Sequence, residues 1–191
     1  MRCGKPIESA EQEYCFDCTE GEFAFHRNRS AFEYDGEIRK AMHDFKYAYR
    51  RENGIFFAEE MISHLGEWMT RLQVDAVIPV PLHKRRKRGR GYNQAAVLAQ
   101  GIARYLGVPM DEGILLRLQA TKPQKELGRT ERKINLKNAF KIAENEVQYE
   151  RVLLIDDIYT TGATLDSAAR VLKQAGVKDV YCVTACIGKG Y

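Results

Sequence analysis

The stretch Val152-Leu-Leu-Ile-Asp-Asp-Ile-Tyr-Thr-Thr-Gly-Ala-Thr164 decides the fold. Arg151-Val-Leu-Leu-Ile155 is a short aliphatic run of the length and β-branched character of a buried strand. It ends on two acids and a Thr/Gly loop. A helix follows from about Ala163 to Ala175, closed by Gly176, and a second apolar run, Val180 to Ala185, reads as the last strand. Strand, helix and strand at this spacing form a βαβ unit, which calls for a parallel sheet with right-handed crossovers. The expected class is α/β, a central, mostly parallel sheet with flanking helices.

The same stretch carries chemistry. In open parallel sheets ligands bind beyond the carboxyl ends of the strands, so Asp156 and Asp157 stand at the functional edge. Two adjacent carboxylates repel one another, which does nothing for stability but suits ligand hydroxyls or a divalent cation. Thr160, Thr161, Gly162, Ala163 and Thr164 add hydroxyls, backbone amides and a glycine at a helix N-terminus, where a phosphate is favoured. An ordinary helix cap needs one hydroxyl, not this constellation. No GxxxxGK[ST] is present, and Gly89 and Gly91 do not complete a GxGxxG, which argues against a Walker-type ATPase.

Working outward, Ser30 to Tyr34 reads as a strand that passes through Asp35-Gly36 into a helix with Ile38, Met42, Phe45 and Tyr49 on one face. Gly54 to Leu72 keeps helical spacing. Val74 to Ile78 is a short strand ended by Pro79 and Pro81, and Tyr92 to Leu106 is a helix stopped by Gly107 and Pro109. Ile114 to Leu118 and Asn138 to Ile142 are further short strands. There is no internal repeat and no low-complexity linker.

With 191 residues, 45% of them hydrophobic and 29% charged, the chain suits one domain with a small appendage, and disorder or a collagen-like chain is excluded. No uncharged run approaches the ~20 residues that span a bilayer, and no apolar signal core opens the chain, so the expectation is a cytosolic protein without membrane insertion. The net charge of +4 is unevenly spread. Lys84 to Arg90, KRRKRGR, carries +6, and Arg117 to Lys141 carries another +6, which leaves −8 for the rest. Gathered positive charge on an otherwise acidic chain points to an anion-binding site; two solvated surface loops are the plainer alternative.

Cys3, Cys15 and Cys18 crowd the first eighteen residues. Cys15-Phe-Asp-Cys18 has the spacing that lets two thiolates share a metal, with Cys3 as a third ligand. The partner of Cys3 in a paired knuckle would fall one residue before Met1, so either the knuckle is shortened or His26 substitutes. Residues 1–22 are too few to build a core, and zinc would have to hold them together; free thiols on a frayed terminus are the other reading. Residues 23–191 form the main domain. Cys182 and Cys186 lie four apart on one strand, which puts them on a shared face as small buried hydrophobes.

The thirteen residues quoted first resemble the phosphoribosyl-pyrophosphate (PRPP) signature of type I phosphoribosyltransferases. Pro79-Val-Pro-Leu-His-Lys-Arg-Arg-Lys-Arg-Gly-Arg-Gly-Tyr-Asn-Gln94, Phe45-Lys46-Tyr47, Lys122-Pro-Gln-Lys125 with Leu127, Arg132 and Asn135, and the N-terminal cysteines extend the likeness to the ComF (GntX-like) family of competence-associated proteins. The departure is the missing first cysteine. The resemblance implies a type I phosphoribosyltransferase fold and a transferase using PRPP and Mg²⁺. Asp156 and Asp157 would engage the ribose 2′ and 3′ hydroxyls, and Thr160 to Thr164 the 5′-phosphate. The loop of Val80, Pro81, Leu82, His83, Lys84, Arg85 and Arg86 would face the pyrophosphate. A flap from Thr121 to Asn138 would close over the site and bring Lys125 or Arg132 to the leaving group. Apart from the resemblance, Tyr92, Asn93 and Gln94 follow the basic loop at the start of the next helix, where they either orient that loop or serve only as caps. The family also implies a role in DNA uptake beside a DNA-translocating helicase.

A different class of reading stays open: a non-catalytic PRPP or nucleotide sensor, or an accessory that holds single-stranded DNA on its basic surface. The acceptor of the transfer is not legible, because the hood residues, about Phe23 to Tyr49, carry no diagnostic pattern.

Overall fold

The structure is a computed structural model describing residues 2–6, 11, 15–19, 21–48, 50–118, 139–143 and 147–188. A four-residue helical turn, α1 (Phe16–Thr19), precedes β1 (Arg27–Glu33), α2 (Gly36–Tyr47) and α3 (Glu52–Arg71). Then come β2 (Ala76–Pro79), α4 (Lys84–Arg90), α5 (Gln94–Leu106), β3 (Leu115–Arg117), β4 (Phe140–Ile142), β5 (Arg151–Tyr159), α6 (Ala163–Gln174) and β6 (Asp179–Ile187).

Four strands pair in the order β1-β6-β5-β2, all parallel, and β3 and β4 form a separate antiparallel pair. The β5-α6-β6 unit expected from the sequence is present, with Leu153 opposite Tyr181 and Ile155 opposite Val183. β2 is not left as a bare edge. Val77 N donates to Pro109 O at 2.9 Å and Asp111 N to Val77 O at 3.0 Å, so the chain after α5 pairs along its outer side.

Both faces of the sheet are covered, as an all-parallel sheet requires. On one side Met42 and Phe45 of α2, Phe57 and Met61 of α3 and Leu98 and Ile102 of α5 pack on Val77, Leu153, Ile155 and Val183. On the other, Leu165, Ala168 and Leu172 of α6 pack on Ile78, Leu154, Val180 and Cys182, together with Leu115 and Phe140 of the small sheet. α2 and α5 come close because Gly54 leaves room: a Cβ there would fall 2.6 Å from Val97 and 2.7 Å from Phe45.

Three expectations change. Lys84 to Arg90 is a helix rather than a loop, started by His83, whose Nδ1 accepts from Arg85 N, and stopped at Gly91 with φ +77°. β5 does not end at its acids; Ile158 and Tyr159 go on to pair with Cys186 and Ile187. Cys182 and Cys186 are both fully buried, as expected, but in opposite cores. The reason is shared by three strands: the registered pairs skip Ala31, Asp157 and Ala185, and the alternation of faces slips there.

The N-terminal segment borrows the main core. Cys3 is 2% exposed, Asn28 N donates to Arg2 O at 2.8 Å, and Asn28 Nδ2 donates to Cys3 O at 2.9 Å, so the segment lies along β1.

Candidate functional site

The carboxyl half of β5 brings the charges together. Asp157 accepts from Lys46 Nζ at 2.8 Å, an ion pair only 13% and 15% exposed. Asp156 Oδ1 accepts from Asp157 N at 2.9 Å. Burial, reinforced by the neighbouring Asp157 charge, raises the Asp156 carboxyl to about 7, against the opposing pull of that amide, Lys46 and Arg117. Arg117, at the end of β3, is lowered by burial and by Arg86, and both aspartates pull it the other way. Arg86 on α4 is likewise lowered by burial and by Arg90, with Tyr47 and Asp157 opposing. Two carboxylates and three cations from α2, α4 and β3 therefore converge on one sheet edge.

Beyond Tyr159 the chain turns through Thr160, Thr161 and Gly162 into α6. Gly162 has φ +77°, and a Cβ on it would fall 2.8 Å from Tyr159 Cζ and 3.0 Å from Phe23 Cε1, so both backbone and space demand glycine. The ladder of α6 begins with Asp166 N donating to Gly162 O at 2.8 Å. Among the described residues, the amides of Thr161, Gly162 and Ala163 have no main-chain acceptor. The Thr161 hydroxyl is shielded from solvent with no hydrogen-bond partner, a donor a phosphate oxygen would satisfy.

The segment after β2 is held from below. Val80 N donates to Ile155 O at 2.8 Å, and Asn93 Nδ2, 5% exposed, donates to Val80 O at 3.1 Å. Gln94 Oε1 accepts from Arg90 Nη1 at 3.0 Å, and Tyr92 Oη donates to Phe45 O. Asn93 and Gln94 thus contact the ends of the basic segment, whereas Tyr92 reaches α2 instead. Pro81, Leu82 and His83 are half-buried, Lys84 and Arg85 are exposed, and Arg86, half-buried, feels the Asp157 charge. Lys125 and Arg132, with the whole Thr121–Asn138 stretch, lie outside the described residues.

Lys46 and Arg117 were missed as site residues. Lys46 had a signal: it sits beside Phe45 and four residues after Met42, on the buried face of an amphipathic helix where a lysine needs a partner. Arg117 had only its place at the start of the basic Arg117–Lys141 stretch, since its approach depends on how the small sheet packs.

The Cys3, Cys15 and Cys18 sulfurs lie within 4.8 Å of one another, with Cys3 Sγ and Cys15 Sγ 3.2 Å apart. Lys5 N donates to Cys3 Sγ at 3.4 Å, and Cys18 N to Cys15 O at 2.9 Å. Soft sulfurs converging in this way fit a zinc ion. Burial pushes the Cys3 and Cys18 thiols up, so a metal would have to displace their protons. His26 does not join the cluster: its Nε2 lies 2.9 Å from Asp179 Oδ1 at the start of β6.

Residues 92–190 match the family described as Phosphoribosyl transferase domain. The chain is 31% identical over 188 residues to DNA utilization protein YhgH of Salmonella typhimurium, covering 97% of this chain and 82% of that one. It is 31% identical over 180 residues to Competence protein ComFC of Bacillus subtilis, covering 91% and 71%. Competence protein F of Haemophilus influenzae is 44% identical over 108 residues, 56% of this chain and 47% of that protein. A purine phosphoribosyltransferase from Pyrococcus horikoshii superposes with a TM-score of 0.44 at 16% identity, covering 68% of this chain and 72% of that one. Among the described residues no helix is long and apolar enough to cross a membrane. The family match and the curated relatives agree: the chain belongs to the phosphoribosyl transferase domain family, in the branch of competence protein F, ComFC and YhgH.

Proposed function

We propose that the chain is a cytoplasmic phosphoribosyltransferase that binds PRPP with magnesium and transfers the phosphoribosyl group to an acceptor yet to be identified, in the service of DNA uptake or use. The observation that supports it most is the pairing of unspent donors with crowded charges at one sheet edge. The amides of Thr161, Gly162 and Ala163 and the Thr161 hydroxyl face a phosphate's needs, and Asp156 and Asp157 stand on the same strand.

In this reading Thr160 to Thr164 hold the 5′-phosphate, and Asp156 and Asp157 hold the ribose 2′ and 3′ hydroxyls. Lys46 holds the Asp157 carboxylate in place for that task. The Val80–Arg86 segment, with Arg86 and Arg117, faces the pyrophosphate. Attack of the acceptor on the anomeric carbon breaks the bond to pyrophosphate through an oxocarbenium-like state, and guanidinium charge stabilises the departing anion. Magnesium, when bound among hard oxygens, would neutralise charge on the pyrophosphate. Closure of Thr121–Asn138 would exclude water and deliver Lys125 or Arg132. Residues 1–22 would be an appendage whose Cys3, Cys15 and Cys18 hold zinc, docked on the transferase domain of residues 23–191.

Calorimetry with PRPP and Mg²⁺ tests the reading. Binding should be saturable and be lost with Asp156→Asn and Asp157→Asn together; no heat with the parent chain sinks it. A second reading, a non-catalytic PRPP sensor or a single-stranded DNA accessory of a DNA-translocating helicase, is favoured by the exposed Lys84, Arg85, Lys87 and Arg88 of α4. DNA binding of that kind weakens steeply with salt and survives the double Asn change, whereas an enzyme releases pyrophosphate and loses that activity.

A further inference from the structure

The chain leaving the cysteine cluster forms the floor under the phosphate loop. Ala24 N donates to Asp166 Oδ1 at 2.7 Å, in the first turn of α6. Arg170 ties the same two parts together, donating from Nη2 to Glu22 O at 3.1 Å and from Nε to Asp166 Oδ2 at 2.9 Å. The Phe23 and Phe25 rings stack with centroids 4.8 Å apart, and Phe25 meets the Tyr159 ring edge-on at 6.5 Å. Tyr159 and Phe23 are the two side chains that close on Gly162, where an added Cβ would fall 3.0 Å from Phe23. Cys3, Phe25, Tyr159 and Leu165 are each 1–2% exposed and share one core, with Cys15, Cys18 and Phe23 packed against it.

We infer that Phe23 is a positioning residue for the phosphate loop, and that the metal state of the three cysteines sets, through Glu22–Phe25, how tightly that loop holds a phosphorylated sugar. This rests on the PRPP reading of the loop. α1 is a single four-residue turn, too short to hold itself in water, so its order depends on what the cysteines are joined to. Three sulfurs on one ion fix Cys3 against Cys15 and Cys18 and seat the chain that follows. Without the ion, Glu22–Phe25 keep their bonds to α6 but lose the fixed chain ahead of them, and binding a phosphate must then include the work of ordering the loop floor. Coupling between two binding events is reciprocal: whatever factor zinc adds to phosphate affinity, the phosphate adds to zinc affinity.

The experiment uses the full chain, zinc-loaded and stripped with a zinc-selective chelator that is then removed. Ribose 5-phosphate and PRPP with Mg²⁺ are titrated by calorimetry. The stripped protein should bind both about five- to twentyfold more weakly, within the usual range of coupling. Phe23→Ala in the zinc-loaded protein should show the same loss, with stripping adding little more, and exchange at the 160–166 amides should rise in both. Zinc affinity, read by competition with a chromophoric chelator, should rise by the same factor when ribose 5-phosphate is present. That last measurement also decides the matter if stripping unfolds the chain. Equal sugar-phosphate affinity with and without zinc, failure to take up zinc, or no shift in zinc affinity overturns the coupling and leaves the PRPP reading standing. A Phe23→Ala chain that binds like the parent overturns the positioning role. No sugar-phosphate binding in any form overturns the reading and the coupling together.

Discussion

The two ends of the parallel sheet use the same residue types to opposite effect. At the amino end, Asp179 receives His26 Nε2 at 2.9 Å and Arg151 Nε at 3.1 Å, and Arg151 Nη1 donates to Leu72 O at 2.9 Å. Asp75 Oδ2 takes the amides of Glu150 and Arg151 at 2.8 and 2.7 Å. Burial alone would raise the Asp179 carboxyl, but Arg151 and His26 more than offset it and hold it below its usual value. At the carboxyl end Asp156 is raised to about 7, and Arg86 and Arg117 are both lowered. One end is settled by its own partners. The other keeps like charges close and hydrogen-bond donors unspent, which is stability given up at the candidate site.

The largest effect expected at the unsettled end comes from Gly162→Ala. A non-glycine residue at φ +77° with its Cβ 2.8 Å from Tyr159 Cζ should cost about 2–4 kcal/mol in urea unfolding. A loss under about 0.5 kcal/mol would show that the loop floor is loose. Next, Lys46→Met leaves Asp157 without its cation in a site 15% exposed and should cost about 1–3 kcal/mol. Adding Asp157→Asn should restore much of it; a double variant no more stable than the single one breaks the ion-pair argument.

The pH response sharpens the contrast, because the two aspartates carry opposite signs. Asp156, raised in the folded chain, binds more protons folded than unfolded. Its favourable contribution is full below the unfolded value near pH 4 and is lost as pH rises towards about 7. Asp156→Asn should therefore be about 1–2 kcal/mol more stable than the parent at pH 8 and no different at pH 4. A parallel pair of pH curves would refute this. Asp179, lowered in the folded chain, contributes above the unfolded value and loses that contribution as pH falls below about 4. Since Asp179 is 29% exposed, Asp179→Asn should cost only about 0.5 kcal/mol at pH 7. A loss above about 2 kcal/mol would mean that the two ends are not so different.

Much of this arrangement was legible beforehand where the signal is local. α6 and β6 fall close to their expected bounds and β5 starts where expected, since an aliphatic run, a Thr/Gly turn and a glycine stop are each written in consecutive residues. The helix of Lys84–Arg90 was not, because six like charges in seven residues read as a solvated loop; its start depends on His83 Nδ1 and its end on Gly91. The shared face of Cys182 and Cys186 failed for a different reason. Period-two alternation assumes an unbroken ladder, and the slip at Ala31, Asp157 and Ala185 exists only once three strands lie side by side.

The linear chain determined which strand carries the acids, that a Thr/Gly turn follows it, and that three cysteines stand close enough in sequence to share an ion. These are short-range facts, fixed by neighbours a few residues apart. Tertiary structure alone decided that Lys46 meets Asp157, that Arg117 and Arg86 crowd the same edge, and that Phe23 lies beneath Gly162. Each of those meetings joins residues far apart in the chain, and only the packing of helices and loops on both faces of one sheet brings them within reach.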